Sequence, residues 1–567
     1  MSSLRQSSFA YELVARLQNI SLEARRRQDE LPQYDYADAA DLGRLVTSSR
    51  PRSFTLGTGA SIYTSTLLPA ILRARHEAIL VTCFWAPSKT LDALREALEA
   101  LATHRRRVLD QGAGSLPTLR VRICFSSRSF MQRLLHTSSR RGYTYPPSKW
   151  ASELGLPDEL VLKTARIELD VKSLFFLPFS VMHPKFLIVD RQRAFLPSCN
   201  VSWEPWLEGC VELEGGAVGA LLHFYARTWD PLFDFSEPLP IAAESSLDPD
   251  LLGPSASAER LAVVQSTADS VVLFAPTGRE EYPDPDDMEQ AVARGQDLTV
   301  ETTVLPSSHH RNPRFRPFPW QIGSPPPPPQ TPLNVAVLQL LEKARHQVYI
   351  QTPNLTCRPV LIALVEALRR GVDVRIVTGR NMMLLEQLVT AGTTTALCIR
   401  SLVKRYEAMH KAASGGSAPG SRDSPVQLHS RRGQEYAASP DSATLEDLSS
   451  FRPYIGEPGK LHISYFGPPR IAQAKTAVAG RNNNTPLDLE MGVDEAAEEP
   501  VHPHIKLTIV DGRMALLGSG NMDRASFYTS QELGVLFRGA EFVGPVKEAL
   551  DRALDGRLST VFDSTQQ

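Results

Sequence analysis

The chain has 567 residues, more than one hydrophobic core usually holds, which sets an expectation of two or more domains. Its 42% hydrophobic and 22% charged residues are the composition of a folded globular protein and exclude a wholly disordered one. Lys and Arg number 61 against 63 Asp and Glu, a formal net charge of -2, so no global positive field draws in nucleic acid and polyanion binding would need a local patch.

In chain order, the first residues contain no continuous apolar stretch of signal-peptide length. Ala10, Leu13, Val14, Leu17 and Ile20 recur at helical spacing and predict an amphipathic helix, while Glu12 and Glu23 argue against an organellar transit peptide. Arg25 to Arg27 read as a solvated helix face. Residues 1–50 are therefore set apart as an N-terminal helical segment.

An internal duplication follows. The segment TLLPAILRARHEAILVTCFWAPSKTLDALREAL from Thr66 aligns without a gap on AVLQLLEKARHQVYIQTPNLTCRPVLIALVEAL from Ala336. Each reads as helix, buried strand, helix, and each continues into a second apolar strand, LRVRICF or VDVRIVTG. Both repeats end in a second shared stretch, HPKFLIVDRQRAFLPSCN from His183 and HIKLTIVDGRMALLGSGN from His504. There an alternating strand meets an Asp-led turn and returns as another strand, a β-hairpin pattern, with Asp511-Gly512 the stronger turn signal. The halves are placed at 51–245 and 333–560, joined by a connecting region at 246–332.

The proline-rich stretch from Ser307 reads as an extended linker, the Ser/Gly-rich 412–450 as a disordered insert, and the acidic run before His504 as a loop near the site. Six scattered cysteines show no metal-ligand spacing, which predicts buried free thiols in a reducing compartment. No uninterrupted apolar run reaches about 20 residues, so no membrane-spanning helix is expected. The expected location is intracellular, in the cytoplasm or peripherally on a membrane.

The chemistry lies in the second shared stretch. His183 and Lys185, and again His504 and Lys506, are two residues apart, which on a strand puts both side chains on one face. The hairpin brings Asn200 and Asn521 back beside them, with Ser198 and Ser519 two residues earlier. A nucleophile or proton donor, a fixed cation and neutral donors suit a phosphodiester, whose oxygens gain charge as a nucleophile adds. One half supplies a single imidazole. Two halves supply one to attack phosphorus and one to protonate the leaving alkoxide.

This pattern, H-x-K, four residues, D, six residues, G-S-x-N, resembles the signature of the phospholipase D superfamily. The second copy matches at His504, Lys506, Asp511, Gly518, Ser519 and Asn521. The first matches at His183, Lys185, Asp190, Ser198 and Asn200, with Pro197 where the glycine stands. The resemblance implies an α/β fold of two homologous, pseudo-symmetric domains, each a mixed sheet flanked by helices, packed face to face with the active site at their interface. It implies an acidic residue behind each imidazole, Glu532 in the second half and Glu208 in the first, with Glu212 the competing choice. It gives Asp190 and Asp511 a supporting place in the hairpins, grouped with Ser198 and Ser519 as phosphate-binding or supporting residues. It also implies His183 as nucleophile and His504 as general acid.

The activity so implied is hydrolysis or transfer of a phosphatidyl group through a phospho-histidine, with no metal and no cofactor. Its partners are a phospholipid at a membrane surface and a water or alcohol acceptor, in a chain expected to act as a monomer. Near-neutral charge and the apolar residues around the first motif, LFFLPF before His183 and Trp203 and Trp206 after Asn200, favour lipid over nucleic acid. A nuclease of the same superfamily and a silent membrane-binding scaffold are the competing readings. His309 and His310 read as solvated, His502 as incidental. Arg380 and Asn381, after a strand end, are candidate pocket residues.

Overall fold

The computed structural model describes residues 8–26, 42–111, 116–135, 142–176, 180–236, 239, 268–274, 298–307, 328–414, 457–469 and 499–566. Most of the proline-rich stretch, of the 412–450 insert and of the acidic run before His504 lies outside the described residues, as do His309, His310 and the Arg25–Arg27 side chains, while residues 412–414 form the end of a helix.

The first repeat opens with a helical stretch at 59–72. Strand β2 (Glu77–Phe84), helix α2 (Lys89–Asp110) and strand β3 (Leu119–Ser127) follow, then β4 (Ile167–Ser173), β5 (Phe186–Val189), β6 (Arg193–Pro197) and β7 (Trp206–Gly215). Ser88 starts α2 by accepting the Leu91 N–H at 3.2 Å, a side-chain cap on an otherwise unsatisfied donor. The second repeat runs α4 (Pro332–Lys343), β9 (Gln347–Thr352), α5 (Arg358–Arg369), β10 (Asp373–Gly379), α6 (Leu384–Ala391), α7 (Thr395–Ser414), β11 (Leu461–Phe466), β12 (Leu507–Val510), β13 (Met514–Gly518) and β14 (Glu532–Arg538). Thr331 caps α4 in the same way, with Pro332 in the first turn where its missing N–H costs nothing. Helices α3 (Gly216–Thr228) and α8 (Ala540–Leu554) close the two repeats, and β15 (Leu558–Asp563) follows the latter.

Strand pairing is the same in both repeats. In the first, β3 lies parallel to both β2 and β4, and β2 continues through antiparallel β5, β6 and β7. In the second, β10 lies parallel to both β9 and β11, and β9 continues through antiparallel β12, β13 and β14. The α/β class and the mixed sheet flanked by helices therefore stand. The face-to-face packing of two separate sheets does not. Strand β1 (Val46–Gly57) pairs with β7 and with β8 (Val300–Ser307), and β8 pairs with β14, so the repeats join edge to edge in one 18-stranded sheet. Edge pairing satisfies backbone donors and acceptors that two free edges would leave open. Both joining strands come from outside the repeats' shared segments, which is why the duplication alone did not show them.

One of two buried clusters follows this continuity, while the other, with Leu80, Leu94 and Phe125, lies within the first repeat. Phe186 and Val211 of the first repeat belong to the same buried cluster as Val337, Ile376 and Val535 of the second. Helix α1 (Ser8–Arg26) also joins it. Leu13 and Leu17 are buried, and Arg16 reaches Glu342 of α4 at 2.7 Å. The cysteines among the described residues, Cys83, Cys124, Cys199, Cys210, Cys357 and Cys398, are all free and buried.

Candidate active site

The His-x-Lys triplets are not in regular strand. β5 begins at Phe186 and β12 at Leu507, so both triplets are short extended approaches to the hairpins. The cause is where their backbone donors go. The His183 N–H donates to the Gln531 carbonyl at 2.9 Å, Pro184 has no N–H, and the His504 and Ile505 N–H groups both donate to the Leu207 carbonyl at 2.9 Å. Each motif thus runs alongside the opening residues of a strand from the other repeat. Met182 bridges Gln531, and His502-Pro503 pairs in parallel with Trp206-Leu207.

That alignment sets the orienting carboxylates. Glu532 follows Gln531 and Glu208 follows Leu207, so each imidazole receives the acid of the opposite repeat. His183 Nδ1 lies 2.9 Å from Glu532 Oε2, and His504 Nδ1 lies 2.7 Å from Glu208 Oε1. A carboxylate at Nδ1 fixes the hydrogen there and frees Nε2 to face a substrate. Glu212, the competing choice in the first repeat, is engaged elsewhere, by Arg193 at 2.8 Å and by the Ser53 hydroxyl at 3.2 Å.

Ser198 and Ser519 hold these acids. Each hydroxyl donates to a carboxylate oxygen of its own repeat, Glu208 or Glu532, and accepts the next backbone N–H, Gly209 at 2.9 Å or Leu533 at 3.0 Å. The two serine loops therefore match, although Pro197 stands where the other has Gly518. Glycine is required only at the latter, where a Cβ would meet the Leu533 carbonyl oxygen at 2.3 Å.

The motif aspartates serve the hairpins. Asp190 turns at φ 49° and accepts the N–H groups of Arg75, His76 and Glu77 at 2.7–2.9 Å; Asp511 turns at φ 53° and accepts those of Arg345, His346 and Gln347 at 2.8–3.0 Å. Their carboxylates are thus engaged at the entry to β2 and β9.

The remaining polar groups differ between the repeats. Asn200 Oδ1 accepts the Phe84 N–H at 3.2 Å. Asn521 Nδ2 donates to Asp523 Oδ2 at 2.9 Å, while its Oδ1 is buried with no partner among the described residues. Lys185 Nζ donates to the His183 carbonyl at 2.9 Å; Lys506 Nζ is buried with no partner among the described residues. A buried ammonium without an acceptor is costly, and an anion beside it would remove the cost.

The charges follow from burial and from one another. Burial holds His183 below its ordinary value with help from Lys185 and Lys506, against the pull of Glu532. Burial pushes the Glu532 carboxyl up, but His183, Ser519 and Lys185 outweigh it and hold it below the usual range. In the other pair, burial pushes Glu208 up to about 7, and burial, Lys506 and Lys185 push His504 well down. Burial and Lys185 bring Lys506 down to about 7. Glu532 is thus held toward the carboxylate form, whereas Glu208 gives up its proton only as pH rises through about 7.

A family model described as "Cardiolipin synthase, PLD-like domain" matches residues 337–427 and 467–554. These two segments of the second repeat thus match a phospholipase D-like domain. Among solved structures, the phosphatidylserine synthase of Haemophilus influenzae Rd KW20 is 13% identical over 91% of this chain and 90% of its own, with a TM-score of 0.45. Nuc, a phospholipase D family member from Salmonella typhimurium, is 16% identical over 40% of this chain and 90% of its own, at 0.20. The polyphosphate kinase of Porphyromonas gingivalis is 9% identical over 88% and 47%, at 0.37. A search of curated protein sequences finds no match.

Around the site, the Trp206 ring lies 4.5 Å from that of His504, whereas Trp203 carries Lys89 over its face at 5.6 Å. Of LFFLPF, Leu174 and Phe175 are buried, Phe176 is half-buried, and the last three residues lie outside the described ones. Arg380 is exposed and Asn381 has φ 56°, both in the link between β10 and α6. Asp523 was not foreseen from sequence. It is buried, caps the short helix Arg524–Tyr528 by accepting the Ser526 N–H at 2.8 Å, and fixes Asn521. The N-cap residue Asp followed three positions on by Ser526 was the available signal. Among the described residues no helix is long and apolar enough to cross a membrane, and no group of three or more His, Cys, Asp or Glu is placed to hold a metal ion.

Proposed function

We propose that the protein is a phosphodiesterase of the phospholipase D type, which hydrolyses phospholipids or transfers their phosphatidyl group to an alcohol. The family match supports an activity of this general kind. The observation that carries the reading is the exchange of orienting acids, His183 on Glu532 and His504 on Glu208, which presents two free Nε2 atoms from distant parts of the chain.

In the first step His183 Nε2 attacks phosphorus and the bond from phosphorus to the head-group oxygen breaks. That oxygen takes the proton held by the His504–Glu208 pair. In the second step His504 removes a proton from water or an alcohol, whose oxygen attacks phosphorus. The phosphorus–nitrogen bond breaks, releasing phosphatidic acid or a phosphatidyl-alcohol and restoring His183. Lys185, Lys506, Asn200 and Asn521 hold the non-bridging oxygens. The role of His183 as nucleophile is supported by the contrast between its acid, held below the usual carboxylate range, and Glu208, raised to about 7 and so able to keep a proton for the leaving group.

The test is product analysis on mixed phospholipids with a primary alcohol present, for the wild type and for His183→Ala and His504→Ala. Phosphatidyl-alcohol from the wild type alone is expected. Cleavage of DNA or RNA without any lipid product, weakening steeply with salt, would replace this reading with a nuclease. Turnover of no phosphodiester would leave the scaffold reading.

A further inference from the structure

Two short helices beside the site are inside out. Phe130–Leu135 follows β3 and α6 follows β10, strands that hold the same place in the pairing order of the two repeats. In each, among the described side chains, the buried one is a glutamine. Gln132, 5% exposed, accepts the Arg128 N–H at 3.1 Å. Gln387, 3% exposed, accepts the Thr395 N–H at 2.6 Å and its hydroxyl at 3.0 Å. The apolar side chains face out: Met131, Leu134 and Leu135 on the first helix, and Leu385, Leu388 and Val389 on the second, between 45% and 77% exposed. A helix that only had to pack on its sheet would turn the leucines in and the glutamine out. Exposed apolar surface of this kind marks an interaction site.

Both helices border the catalytic groups. Glu386 of α6 lies within electrostatic reach of Arg133 on the first helix, and of Asp523 and Glu532 in the site. Arginines stand with the leucines. Arg133 lies over the Phe175 ring at 5.6 Å, and Arg380 is exposed at the entry to α6. Leucines that enter an acyl layer, with guanidinium groups at the level of phosphates, match the surface of a phospholipid bilayer. Glu386, the one acid on these two helices, is exposed by area, and desolvation beside the site together with Asp523 raises its carboxyl toward the neutral form.

We propose that helix Phe130–Leu135 and α6 form a two-part rim that docks the site mouth onto a lipid bilayer; the choice of occupant rests on the phospholipid reading above. The test compares wild type with Leu134→Asp/Leu135→Asp and Leu385→Asp/Leu388→Asp. Co-sedimentation with phosphatidylcholine–phosphatidylglycerol vesicles is measured alongside turnover of vesicle lipid and of a short-chain phosphatidylcholine kept monomeric. Each variant is expected to lose at least about tenfold in vesicle binding and vesicle turnover, with monomeric turnover retained, which also shows that it folds. Unchanged vesicle binding overturns the proposal, as does a wild-type dimer that the same variants dissociate without any effect on vesicles. Vesicle binding that the variants lose, with no lipid turned over by any form, keeps the docking rim and removes the phospholipase reading instead.

Discussion

Lys506 is the group whose replacement tests the site's electrostatics most directly. Its ammonium is buried, has no hydrogen-bond partner among the described residues, and is brought from 10.5 to about 7 by burial and by Lys185. That difference corresponds to roughly 5 kcal/mol of folding free energy when the group is charged. The sign follows from proton binding. The folded value lies below the unfolded one, so between about pH 7 and 10.5 the unfolded chain binds more protons and stability rises with pH. Below about 7 the cost is present in full. Lys506→Met removes the charge and keeps most of the volume, and it should abolish turnover while stabilising the unliganded protein by several kcal/mol near neutral pH. The assay is urea unfolding of both proteins from pH 6.5 to 9.5. Their gap should close by up to about 1.4 kcal/mol per pH unit as pH rises. Parallel stability curves, or a variant less stable than wild type at pH 7, would refute the reasoning.

The other expectations concern the acids and hairpins. Glu532→Gln and Glu208→Gln should each lower kcat at least about 100-fold, with the first altering the histidine of the first repeat and the second that of the other, as NMR of the imidazole nitrogens would report. Activity should fall as pH rises through about 7, because the His504–Glu208 pair then loses the proton destined for the leaving group; a pH–rate profile with no such limb would contradict that assignment. Asp511→Ala leaves three backbone N–H groups without their acceptor and should cost about 3 kcal/mol in a denaturation midpoint measurement, with kcat per folded molecule kept.

Much of this was legible in the chain because it is local. The helix–strand–helix order, the Asp-led hairpins and the matched His, Lys, Ser and Asn positions depend on spacing that the sequence displays twice. Tertiary choices were not. Nothing near His183 in sequence says that its acid is Glu532, since that pairing arises from Met182 bridging Gln531 across the junction. Strand regularity was over-read at His183 because its backbone N–H serves the other repeat and Pro184, next to it, has none. The joining strand β8 sits in a stretch taken as connection, and its partner β1 begins ahead of the first repeat as drawn from sequence. The inside-out character of α6 was equally hidden. Its leucine spacing is that of a core helix, and only the burial of Gln387 reverses the reading.

The exchange of acids has a consequence for how the two repeats can change. On the proposed reading, a substitution that removes Glu208 would disable the imidazole of the far repeat, so damage on either side would appear on the other. Neither copy could then decay quietly while its twin carried the work. Excised and expressed apart, each would hold a histidine whose Nδ1 has lost the carboxylate it bonds, and mixing the two fragments should recover turnover only to the extent that β1 and β8 rejoin.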